Sequence, residues 1–119
     1  MTKTILRAIL TLALTLVPGL AVASTLDTPN FTVKITPECA EGTIGCDKVI
    51  YEGTNKKTKQ SIKLSGKELV HMCADRVTPC RALGYEFRNG KYVYFVTAYG
   101  RLIVSEGKKT IINELGYFR

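Results

Sequence analysis

The chain holds 119 residues, with 17 lysines and arginines against 10 acidic residues, four cysteines and one histidine. That length admits one small domain with a thin core, and the net charge of +7 favours anionic surfaces in general without selecting one. No G-x-S-x-G, H-E-x-x-H or phosphate-loop pattern occurs, which argues against the hydrolase, metalloprotease and nucleotide chemistries that carry such motifs.

The first residues, MTKTILRAILTLALTLVPGLAVAS, begin with Lys3 and Arg7, continue through an apolar run from Ala8 to Leu20 and reach an A-x-A pattern at 21–23. These are the three parts of a secretory leader, expected to be removed after Ala23. The run is short for a membrane span and is broken by Pro18-Gly19, so no span is expected after cleavage. Ser24 at the new end gives no site for a lipid anchor. The remaining domain, residues 24–119, would carry a charge of about +5.

The first alternating stretch, FTVKI (31–35), sets Phe31, Val33 and Ile35 against Thr32 and Lys34. Asn30-Phe31-Thr32 is a glycosylation sequon, relevant only in a host that glycosylates. Next comes CAEGTIGC (39–46), echoed by CADRVTPC (73–80) with the same spacing. An even number of cysteines in a small exported domain reads as disulfides. C-x6-C is not the C-x2-C of zinc ribbons or redox sites, and one histidine, His71, adds little to a ligand set. No metal and no cofactor are expected. Three pairings of Cys39, Cys46, Cys73 and Cys80 are open. Local pairing closes two short loops, each worth about 2.5 kcal/mol of chain entropy, against about 4 kcal/mol for a crossed link such as Cys39–Cys80. Gly42, Gly45 and Thr78-Pro79 are turn formers that favour local pairing. A Cys46–Cys73 link stays open.

DKVIYEG (47–53) and QSIKL (60–64) read as a hairpin, with Val49 and Tyr51 on one face of the first strand, and Ile62 and Leu64 on one face of the second against Ser61 and Lys63 on the other. Lys56, Lys57 and Lys59 crowd its turn, either as a grip for an anionic partner or as a solvated tip that protects an edge. In SGKELVHMCADR (65–76), Leu69, Met72 and Cys73 fall at i, i+3 and i+4 and predict a short helix.

The last third predicts a four-stranded meander. Asn89-Gly90 is a strong two-residue hairpin signal, placing Phe87 opposite Tyr92 and Tyr85 opposite Tyr94. TAYGR fits a three-residue loop with Gly100 in the left-handed region, which sets Val96 opposite Leu102 and Tyr94 opposite Val104. A turn on Gly107-Lys108 sets Glu106 opposite Lys109 and Val104 opposite Ile111. One face then collects Tyr85, Phe87, Tyr92, Tyr94, Val96, Leu102, Val104 and Ile111. The other face keeps Val93, Phe95, Ile103 and Ile112, which the N-terminal hairpin or the helix should cover. The expectation is an all-β domain with one short helix, a small antiparallel meander forming a sandwich or partly open barrel stapled by two disulfides.

The aromatic set Tyr85, Phe87, Tyr92 and Tyr94 is either core or a platform for sugar rings or partner side chains. Asp75 and Arg76, at the tip of the second cysteine loop, are the candidate partner contacts. No catalytic residue stands out, and no enzyme activity is expected. The chain reads as an exported, periplasmic or secreted, monomeric binding protein of the bacterial envelope, of protein-inhibitor or immunity type. Its partner would be a protein of unknown identity or an anionic cell-wall polymer; nucleic acid is not expected. The alternative is a small cell-wall-active hydrolase or a polymer-binding accessory protein.

Overall fold

The computed structural model describes residues 23–119, so the expected leader lies, but for Ala23, outside the described residues. Nine strands follow one another: β1 (Ser24–Asp27), β2 (Phe31–Pro37), β3 (Val49–Asn55), β4 (Ser61–Met72), β5 (Pro79–Asn89), β6 (Tyr92–Thr97), β7 (Arg101–Glu106), β8 (Lys109–Leu115) and β9 (Tyr117–Phe118). They form one antiparallel sheet in the order β8-β7-β6-β5-β4-β3-β2-β1-β9. From β1 to β8 each strand pairs with its successor. β9 continues from β8 through Gly116 and pairs instead with β1, at the far side of the sheet. One segment thus touches both margins and curls the sheet into a nearly closed barrel.

Gly116 makes this transfer sterically feasible. Its N–H donates to the Gly100 carbonyl at 2.8 Å, while a Cβ there would strike the Asp27 carbonyl oxygen. Side chains finish the seam. Glu114 of β8 accepts from the Asn30 backbone N–H (3.1 Å) and from Asn30 Nδ2 (2.7 Å). Asp27 of β1 pairs with Lys56 and, at 2.9 Å, with Arg119 Nε. The hydrogen bonds from Lys56 and then Arg119 hold the Asp27 carboxyl below its usual range. Burial pushes Glu114 up, but Asn30, Thr28 and nearby Lys56 outweigh it and leave its pKa lowered.

The core follows the alternation. Val33 and Ile35 of β2, Val49 and Tyr51 of β3, Phe87 of β5, Val96 of β6 and Leu102 of β7 are all buried on the inner face. Its centre is aromatic: Tyr51 meets Phe87 at 5.1 Å and Tyr94 edge-on at 5.3 Å. The two buried rings rest on glycines. A Cβ at Gly66 would collide with Phe87, and one at Gly53 with Tyr51. Inner-face glycines let the strands coil while large rings cover the gap. Burial drives the Tyr51 phenol well above its usual pKa.

Four expectations are corrected. Residues 65–72 are strand, not helix: inward Ile62, Leu64, Gly66 and Glu68 alternate with outward neighbours, and β4 bonds to β3 and β5. Register shifts at Leu69/Val70 and His71/Met72 then break the alternation, and those bulges created the spacing that mimicked a helix. The β5–β6 turn is Gly90-Lys91, not Asn89-Gly90, with Asn89 opposite Tyr92 and Phe87 opposite Tyr94. Gly90 has φ 61°, as the first centre of a type II′ turn allows. This register aligns Val49, Gly66, Phe87, Tyr94 and Val104 in one cross-barrel row, and it seats the Phe87 ring on Gly66. A turn moved by one residue shifts each pair by two, so the faces survive the change.

The β6–β7 register and the Glu106–Lys109 turn are found as expected, but a shift at Val104/Ser105 pairs Val104 with Ile112. Ile112 therefore packs inward and Ile111 is 46% exposed. Finally, of the sandwich and the partly open barrel that the sequence left open, the barrel is the one formed, and the hairpin or helix expected to cover its second face does not do so. Val93, Phe95 and Ile103 lie half-buried on the outside of the barrel, shielded by cross-strand neighbours such as Arg88, Glu86 and Asn113 rather than by a second layer.

Candidate partner-binding site

In this meander the odd-to-even turns gather at one end of the barrel and the even-to-odd loops at the other. The second end holds both cysteine loops. The bonds there are Cys39–Cys46 and Cys73–Cys80, the local pairing.

The Cys73–Cys80 loop is carried on an arm. β4 pairs with β3 only as far as Gly66, and β5 pairs with β6 only from Gly84. Beyond Leu69, which still pairs with Gly84, Val70–Met72 and Pro79–Ala82 pair with each other. Gly84, at φ 140°, is where β5 leaves its neighbour, and a Cβ there would meet the Val96 carbonyl.

At the arm's tip, Asp75 Oδ1 accepts from the N–H groups of Val77 and Thr78, each at 2.9 Å, and Oδ2 accepts from the Thr78 hydroxyl at 2.6 Å. Those bonds, the hydroxyl's first, lower its pKa to about 2. The Cys73 N–H donates to the Thr78 carbonyl and the Arg76 N–H to the Cys73 carbonyl, both at 2.8 Å. Arg76 sits in the left-handed region, at φ 62°. Both carboxylate oxygens are thus used within the loop, so Asp75 shapes the tip. Residues 74–78 are all exposed; among them Arg76 has no ion pair among the described residues, and Val77 is a large apolar side chain, 75% exposed. Val77 was not singled out in the sequence; an apolar residue flanked by turn formers inside a cysteine loop is the signal that could have found it.

The first cysteine loop braces the arm's base. Glu68 Oε1 accepts from the N–H groups of Gly45 and Cys46, at 3.1 and 3.2 Å, and the Glu68 N–H donates to the Cys46 carbonyl at 2.7 Å. A groove of about 370 Å³ lies between loop and arm, bordered by Ile44, Val70, Pro79 and Arg81. Ile44 is 62% exposed at its edge.

The other candidate residues lie elsewhere. Tyr85, Phe87, Tyr92 and Tyr94 share the inner face but run along the barrel's length: Phe87 is sealed, and the three tyrosines are half-buried against the core. Burial, with the charge of Glu68, raises the pKa of Tyr85. At the opposite end, Lys56 is committed to Asp27 and donates to the Thr28 carbonyl at 2.6 Å, whereas Lys57 and Lys59 are exposed. Among the described residues no group of three His, Cys, Asp or Glu is placed to hold a metal ion.

Comparison of the chain with protein-family models, with curated protein sequences and with solved structures finds no match.

Proposed function

We propose that this chain is an exported binding protein of the bacterial envelope, of inhibitor or immunity type, and that the disulfide-closed arm is the part that enters its partner. The observation that carries the reading is the tip itself: the Asp75 carboxylate is satisfied within it, its ends are covalently joined, and Arg76 and Val77 stand exposed at it. A loop ordered before contact loses little conformational freedom on binding, and arginine is enriched among the residues that anchor protein interfaces. The leader-like first residues and the two disulfides support an oxidising compartment.

The test is capture from envelope and secreted extracts by the oxidised, tagged protein, followed by purification of the partner and measurement of its activity. One partner at fixed stoichiometry is expected, inhibited by the wild type and released by Arg76→Ala or Val77→Asp at an unchanged thermal midpoint. Retention on purified cell wall, equal for the wild type and both variants, would instead favour the polymer-binding alternative.

A further inference from the structure

The end of the barrel opposite the arm opens as a cleft of about 220 Å³. Its floor is Tyr51, Leu102 and Val104, all buried. Phe31, Ile62, Tyr94 and Ile112 form its half-buried walls. The turns of β3–β4, β5–β6 and β7–β8 surround this end, and each carries lysine. Lys91 is tied to Glu106 at 2.9 Å and Lys56 to Asp27. Lys57 and Lys59, beside the cleft residues Asn55 and Gln60, are exposed, as are Lys108 and Lys109, which lead into Ile112. None of these four has an ion pair among the described residues. The carboxylates at this end are occupied: Glu106 by Lys91, Asp27 by Lys56 and Arg119, Glu114 by Asn30. The result is an apolar hole with unneutralised cations on two sides of it. Such a rim concentrates anions, and such a lining takes hydrocarbon.

We propose that this mouth binds a single-chain anionic amphiphile, with the end of its acyl chain against Ile62 and Ile112 and its carboxylate or phosphate head among Lys57, Lys59, Lys108 and Lys109. The cleft is smaller than a typical site for a drug-sized ligand, so it holds part of one chain and leaves the head at the rim. The site is independent of the arm, and neither reading depends on the other.

The test titrates the purified, oxidised protein with dodecanoate, with the uncharged glycerol monoester of the same acid, and with polyphosphate, all below any micelle concentration. Binding is read by calorimetry and by methyl NMR shifts of Ile62, Ile112 and Leu102. Expected are saturable 1:1 binding of dodecanoate with shifts in all three methyl sets, and weaker binding of the monoester. Polyphosphate should leave those methyls unmoved. Lys57→Gln with Lys108→Gln should weaken dodecanoate about fivefold, as loss of two exposed charge contacts predicts, without moving the thermal midpoint. Ile62→Trp, which fills the mouth, should abolish binding. Equal affinity for the monoester, shifts confined to residues outside the mouth, or tighter binding of polyphosphate would each overturn the proposal. So would the absence of saturable binding.

Discussion

Strand β5 belongs to two different structures. From Gly84 onward it lies in the barrel, where Phe87 is buried on Gly66 and against Tyr51. Before Gly84, Pro79–Leu83 is exposed at every position, and what orders it is the strand β4 beside it, a disulfide and the Asp75 hydrogen bonds. The barrel half derives its stability from apolar burial, which spreads over the whole domain. The arm half derives it from local constraints that reach a few residues. A small domain has little core to share, so a projecting element has to carry its own order.

That contrast can be broken by mutation. The largest effect should come from Phe87→Ala, a loss of about 3–5 kcal/mol in urea unfolding, against no measurable change for Val77→Ala at the arm's tip. Gly84→Ala comes next, since the pivot demands positive φ and close approach to the Val96 carbonyl. It should lower stability by about 1–3 kcal/mol and loosen the arm as well, seen as faster amide exchange at Arg76. Replacing Cys73 and Cys80 together by serine should lower the global unfolding free energy in urea by less than the ~2.5 kcal/mol that loop entropy allows, because the freed arm frays in the native state too. Amide exchange at position 73, Arg76 and Thr78 should rise sharply. A global loss as large as that of Phe87→Ala would show arm and barrel to be one cooperative unit.

The smallest effect is a pH effect. The folded pKa of Asp75 is depressed to about 2, so its contribution is complete above the unfolded carboxyl value and is lost as pH falls through the folded one. Amide protection at Val77 and Thr78 should therefore decline from about pH 4 toward pH 2. Asp75→Ala should remove that dependence.

Reading the sequence worked best where glycine left one geometry open. Gly100 and Gly107 each admit a single short turn, and the turn pairs of β6–β7 and β7–β8 followed from them. Gly90 was less decisive, because it can be the first or the second centre of a hairpin turn. The choice was made by Phe87 finding Gly66, a contact between strands that local pattern does not encode. The bulges in β4 and at Ile111 were hidden for a related reason: each inserts a residue whose only signature is a broken alternation. β1 and β9 are too short to show a period at all, yet they close the barrel. At the arm, the paired cysteines announced a stapled loop, but that it projects from the sheet depends on where β3 and β6 stop pairing.

The handover at Gly116 also bears on how the chain comes to be made. As it lengthens residue by residue, β1 is among the first strands available and its partner β9 the last, so the sheet keeps two open margins until residues 117 and 118 arrive. Free margins are templates for pairing with other chains. The polypeptide is therefore most vulnerable to its own copies while β1 and β8 are both formed and β9 has not yet sealed the margin.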